Sequence, residues 1–201
     1  MGEAKRRKAE IDELKRARDG WRQDLTADEK AIAEVAERLH ERLVVERGFV
    51  GGCYQLAFFL RLFLKERCGI EVTPIVGYIN DTTGPVMASH AWIEFGGKKT
   101  DISLTRTEYP EFQPPGALLI HDHVVRRGTV LHTYHLAQST ESLAREVEMA
   151  RSDPHTSAVV QHKQREHAIM SDRATDDAKI QQYFKSAPPQ LSYDVLARLA
   201  S

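Results

Sequence analysis

ASHAWIEFGGKKTDISL, residues 88–104, is the stretch whose reading decides the fold. His90 to Phe95 and Lys98 to Leu104 are strand-like runs rich in apolar and β-branched residues, separated by Gly96-Gly97. A glycine pair suits a two-residue hairpin turn, whose central residues take positive φ to match the right-handed twist of the strands. That turn pairs Phe95 with Lys98, Ile93 with Thr100, Trp92 with Asp101, Ala91 with Ile102 and His90 with Ser103. Ala91, Ile93 and Ile102 then share one face, suited to a core. His90, Trp92, Asp101 and Ser103 share the other. Asp101 lies diagonal to His90, within reach of a ring nitrogen. A three-residue bulged turn would instead put the two on opposite faces, leaving an ordinary sheet histidine and a surface carboxylate.

Upstream, Gly51-Gly52-Cys53 opens a run with Leu56, Phe59, Leu60, Phe63 and Leu64 on one broad apolar stripe, read as a helix from Cys53 to about Arg67. A thiol at a helix start feels the positive end of the dipole and unpaired backbone N–H groups, both of which favour thiolate. Glycines before it let a substrate approach the backbone closely. Cys53 is therefore a candidate nucleophile, against the alternative of a buried structural cysteine. Cys68, at the far end of the same helix, reads as packing. With Asp101 holding one nitrogen of His90 and Cys53 meeting the other, the three residues have the logic of a Cys-His-Asp triad. Gly52, Tyr54 and Trp92 are candidates for the surrounding oxyanion and substrate cleft. The backbone N–H of Cys53 is the one half of an oxyanion hole that the sequence assigns.

Gly51-Gly52-Cys53-Tyr54, Gly69-Ile70, Ser89-His90-Ala91-Trp92-Ile93-Glu94-Phe95 and Lys99-Thr100-Asp101-Ile102 together resemble the transglutaminase-like cysteine enzyme core. That superfamily is a distant, papain-like fold with its triad in the order Cys, His, Asp. The spacing is also similar to that of the leader-peptide cysteine proteases of lasso-peptide maturation. The resemblance spans roughly residues 45–105. It implies Cys53 as nucleophile, His90 as base and acid, Asp101 as the residue orienting His90, and a protein or peptide substrate. The arylamine N-acetyltransferase branch departs from it, since Gln55 and Ala57 stand where those enzymes carry an acidic residue and an Asn. Animal transglutaminases use calcium, yet no EF-hand-like acidic loop occurs here.

The remaining chain frames this core. At 201 residues, against roughly 150 per domain, one domain with appendages is expected. These are a charged helical lead-in (1–25), a catalytic core (26–137) and a helical C-terminal extension (138–201). Thr26 caps a helix carrying Ile32, Val35, Leu39 and Leu43 at helical spacing. Val72 to Ile79 is strand-like, with Pro74 suggesting an edge or bulge. Leu118 to Ile120 and Thr129 to Leu136 are further strand candidates. Ser139 or Thr140, then Asp153-Pro154, open C-terminal helices, and the Ser186 to Pro189 breaker precedes a last one from Ser192. The expected class is α+β: the nucleophile helix packed on a small antiparallel sheet, with N- and C-terminal helices.

Lys and Arg total 28 against 29 Asp and Glu, for a net charge of −1. That balance argues against a nucleic-acid coat but leaves open a local contact through Lys5 to Lys8 or Arg126-Arg127. Two cysteines cannot make a disulfide scaffold or a Cys₄ zinc site. No apolar run approaches the roughly 18 residues of a membrane span, and the charged N-terminus lacks a signal-peptide core. The expectation is a cytoplasmic protein with no membrane and no cofactor. His121, His123, His132 and His135 form a dense group that could offer imidazoles to a metal, His121 and His123 pointing one way on a strand. The i, i+3 pair would diverge, so hydrogen-bonding histidines are expected and no metal site is assigned. Amide acyl transfer is the leading function, with peptidase favoured over deamidase and transglutaminase. A non-catalytic partner-binding module on the same fold is the alternative.

Overall fold

A computed structural model describes Arg6 and residues 20–111 and 113–201. Most of the charged lead-in, including Lys5, Arg7, Lys8, Ile11 and Leu14, lies outside the described residues. Helix α1, Ala27–Leu39, starts where the capping residues require. Thr26 accepts from the Glu29 N–H, while the Glu29 carboxylate accepts from the Thr26 N–H. Glu29 also accepts from Lys98, and these partners hold its carboxyl down to about 2. The helix continues into a wider π turn over His40–Val45.

Helix α2, Cys53–Phe63, extends through a π turn at Leu64–Cys68 and stops at Gly69 with φ +70°. The sequence suggests one apolar stripe, but α2 is buried on nearly every side, as expected of a helix at the centre of a core. Ile32, Leu39, Phe58, Phe59, Ile180 and Leu196 are fully buried in one continuous cluster. The C-terminal helices α5 (Asp177–Lys185) and α6 (Tyr193–Ala200) therefore share the core with α1 and α2. Even Gln55, on α2, is satisfied by the C-terminal segment, donating to the Leu191 carbonyl at 2.7 Å. Arg61 adds a two-pronged pair with Asp177 (2.9 and 3.2 Å). Two further helices, α3 (Thr140–Ser152, capped by Ser139) and α4 (Pro154–Arg173, capped by Asp153), form an antiparallel hairpin before α5.

The main sheet is antiparallel in the order β3-β2-β1-β6, from β1 (Thr73–Asn80), β2 (Ala88–Phe95), β3 (Lys98–Thr100) and β6 (Thr133–His135). Pro74 pairs with Ile93 on one side, and β6 reaches β1 only at Tyr78 to Asn80, so the proline needs no ladder partner on its other side. The β2-β3 turn is the two-residue type, Gly96 at φ +58° and Gly97 at +75°, and the register is Phe95 with Lys98 and Ile93 with Thr100.

The expected pairs beyond Thr100 do not form as a ladder. Asp101 leaves β2 and exchanges both backbone bonds with Leu119 of β4, Leu118–Ile120, at 2.9 and 3.0 Å. β4 pairs with β5, His123–Arg126, a strand outside those expected from the sequence. The reason lies in the turn. His121 (φ +52°) and Asp122 (φ +62°) make a left-handed two-residue turn without glycine. It is held by the His121 N–H on Thr100 Oγ1 and the Asp122 N–H on the Lys99 carbonyl.

Gly77, opposite His90 in the ladder, shows how tightly this region is packed. A Cβ there would lie 2.4 Å from the His135 carbonyl and 2.7 Å from the Trp92 ring. Gly77→Ala is expected to destabilise the chain by about 1–3 kcal/mol, the range for overpacking. Urea denaturation followed by tryptophan fluorescence measures it, and an unchanged midpoint would refute the collision.

Candidate active site

Cys53 is the first residue of α2. The first helical bond runs from the Leu56 N–H to the Gly52 carbonyl, so the N–H groups of Cys53, Tyr54 and Gln55 have no intrahelical acceptor. Gly51 has φ +70°, and a Cβ on Gly52 would strike the Phe49 ring at 2.0 Å. The glycine pair thus makes the bend and lets Phe49 close beneath it.

Asp101 and His90, 2% and 3% exposed, lie side by side, with Asp101 Oδ2 2.7 Å from His90 Nε2. A carboxylate there accepts, so Nε2 carries the hydrogen and Nδ1 is left for Cys53. Asp101 is saturated with donors. Oδ2 also receives the Tyr134 hydroxyl at 2.9 Å, and Oδ1 receives the Ser103 N–H at 2.9 Å and the Ser103 hydroxyl at 2.8 Å. Burial pushes the His90 pKa down, but the Asp101 and Cys53 charges and their hydrogen bonds override it and lift it to about 10. Burial likewise works against the Asp101 charge, yet His90 and Ser103 hold that carboxyl below its usual range. Burial and the Asp101 charge push the Tyr134 phenol well above its usual range, which keeps it a donor.

Of these, His90 and Ser103 open into one cleft of about 460 Å³, where they meet Gly52, Cys53 and Tyr54. Trp92, expected in the cleft, is not in its lining. It is 2% exposed, donates its indole N–H to Glu94 at 3.0 Å and packs edge-on to Tyr134. Alternation along β2 sends it to the same sheet face as His90, where Tyr134 covers it. Tyr54 lines the cleft, but its hydroxyl is 2.7 Å from Ser89 Oγ, which in turn is 2.5 Å from His167 Nδ1. His167 stacks on Tyr78 at 4.4 Å, tying α4 to α2 and to β1.

No family model, curated protein or solved structure matches the chain. What the site can do rests on its own atoms.

The histidine group of 121–135 does not converge. His121 is held in the β4-β5 turn, with Nε2 3.0 Å from the Glu29 carbonyl. His123 stacks under Trp21 at 4.4 Å, His132 packs Nδ1 against Gly116, and His135 meets Thr133 Oγ1 at 2.8 Å. The turn at His121 breaks the period-two relation to His123 that a strand would give. Among the described residues, no three His, Cys, Asp or Glu side chains gather as a metal would need. Nor is any described helix long and apolar enough to cross a membrane.

Three contributors were missed in the sequence. Tyr134 lies within His-Thr-Tyr-His, where strand alternation already sends it to the face opposite its neighbours. The Ser89–His167 link and the α3-α4 wall join segments far apart in sequence, and no local pattern announces them.

Proposed function

We propose that the protein is a cysteine-dependent acyl-transfer enzyme acting on amide bonds, with a transglutaminase-like, papain-like core. Cys53 is the nucleophile, His90 the base and acid, and Asp101 the orienting carboxylate. The observation that carries this reading is the buried Asp101–His90 pair opening onto Cys53 at the start of α2. His90 Nδ1 takes the Cys53 proton, and the sulfur attacks the amide carbon. The oxyanion so formed faces the Cys53 N–H. His90 then gives its proton to the departing nitrogen, the C–N bond breaks, and a thioester remains. Water, deprotonated by His90, attacks the thioester and releases the acid and the thiol. A backbone amide makes this a peptidase and a side-chain carboxamide a deamidase, while an amine in place of water makes it a transglutaminase. Water is the acceptor present everywhere, so hydrolysis of a protein or peptide is the favoured outcome. Both cysteines are free thiols, which suits a reducing, cytoplasmic setting.

Cys68 provides an internal control. It is the more exposed of the two thiols, and burial raises its pKa. Iodoacetamide at neutral pH is expected to alkylate Cys53 at least ~10-fold faster than Cys68, read by peptide mass spectrometry over time. Equal rates, or faster reaction at the more exposed Cys68, would refute an activated nucleophile and favour a partner-binding module.

A further inference from the structure

The proposed chemistry uses nothing from α3 or α4, yet both helices line the cleft. They are also poorly buried: only Ser142 in α3 and only Met170 in α4 are buried. Two of the hairpin's moorings flank the cleft. Ser142 Oγ accepts from the Met87 N–H at 3.0 Å, and His167 meets Ser89 as described above. Between these moorings its cleft-facing side chains divide sharply by chemistry. The charged ones have partners on the hairpin or just before it: Glu146 accepts from Gln138 and Gln164, and Glu166 pairs with Lys163. The remainder is aliphatic, with Met149, Val159 and Val160 lining the same cavity as Val86 and Met87. Val86 and Val159 stay 44% and 46% exposed, a surface that an occupant of the cleft would cover. A cavity of about 460 Å³ lies within the roughly 300–1,000 Å³ usual for small-ligand pockets, enough for a short peptide stretch.

We propose that the α3-α4 hairpin is the specificity element, recognising an aliphatic side chain close to the scissile amide of a peptide substrate. The wall supplies apolar area and methionine adaptability next to Cys53 and His90. Covering Val86, Val159 and the substrate side chain together removes apolar surface from water only if that side chain is itself apolar. A lysine or glutamate would lose hydration there against partners already engaged with one another. Arg106 and Glu108 lie outside the hairpin, on the loop after Ser103.

This inference rests on the proposed role of Cys53, and a series of tripeptide chloromethyl ketones separates the two. In each, the Cys53 sulfur bonds to the methylene carbon and chloride leaves. The two residues next to the ketone are set to Leu, Lys, Glu or Ala in turn, and the second-order inactivation rate is measured on the full chain. Leu at one of these positions is expected to exceed Lys and Glu roughly tenfold or more, as burial of a leucine-sized side chain implies. In Val160→Asp the Leu-to-Lys ratio should fall to one or below. Labelling of Cys53 with a ratio near one in the wild-type chain overturns the inference and leaves the chemistry standing. A ratio that survives Val160→Asp overturns the assignment to the hairpin. Failure of iodoacetamide and every ketone to reach Cys53 overturns both.

Discussion

Asp101→Asn is expected to disable the Cys53 thiol while the chain remains folded. Four donors converge on the two carboxylate oxygens: His90 Nε2–H and the Tyr134 hydroxyl on one, the Ser103 N–H and hydroxyl on the other. An amide offers one oxygen and one NH₂, so one pair must face a donor. Turned toward Ser103, the NH₂ meets a backbone N–H that cannot rotate away. Turned toward His90, it meets Nε2, which must give up its hydrogen and become the acceptor. The ring hydrogen then sits on Nδ1, and His90 can no longer take a proton from Cys53. The second arrangement costs less, because a ring tautomer changes more readily than a backbone bond breaks. In serine hydrolases the same tautomer error lowers turnover by about 10⁴. A loss of about 10³–10⁴ in kcat is expected here, with KM little changed. The rate of Cys53 alkylation at neutral pH should fall with it. Alkylation at the wild-type rate would show that Asp101 does not govern the His90 tautomer.

The same cluster explains why the site was partly legible in the sequence. Gly96-Gly97 specified a turn type, the turn specified the register, and the register brought Asp101 near His90. Each step is local chemistry. The ladder then stops sooner than alternation implies, because Asp101 exchanges its backbone bonds with Leu119, a residue eighteen positions away that no pattern near Asp101 reveals. Tyr134 was hidden differently. It stands among histidines expected only to hydrogen-bond, although alternation along β6 turns Tyr134 to the opposite face from Thr133 and His135. At Trp92 the face was read correctly and the consequence was not, since that face is covered by Tyr134 instead of opening into the cleft. The C-terminal helices were the least legible. Ile180 and Leu196 enter the same core as Phe58, and helical periodicity reports an apolar face without naming what it meets. His121-Asp122 is a left-handed turn without the glycine that marks such turns, so β5 went unseen.

The buried pair should also shape stability against pH, and the sign follows from where each proton resides. His90 is lifted to about 10 in the folded chain, while an unfolded histidine titrates near 6.5. Its contribution is therefore fully present below about pH 6.5 and is lost as pH rises through the folded value. Over that interval the folded chain holds a proton that the unfolded chain has released, so unfolding free energy falls by roughly 1.4 kcal/mol per pH unit. The buried tyrosines also favour the neutral form when folded, but their effect begins only above the ordinary phenol range of about 10. On the acid side the direction reverses. Asp101 is held below its usual range, so its contribution is lost as pH falls through that lowered value. His40, buried beside Thr105 and pushed down to about 4, adds a penalty as pH drops below about 6.5, where only the unfolded chain gains the proton. Cys53→Ser keeps the His90–Asp101 pair and removes the share of the lift that Cys53 supplies, so what remains in that background is the share due to Asp101. Urea denaturation upward from pH 7 is expected to show a downward slope in Cys53→Ser, ending at a lower pH than with the thiol present, and a much flatter one in Cys53→Ser with His90→Gln. Equal slopes in the two chains would mean that His90 gives up its proton near the ordinary histidine value, and that Asp101 orients the ring without holding its charge.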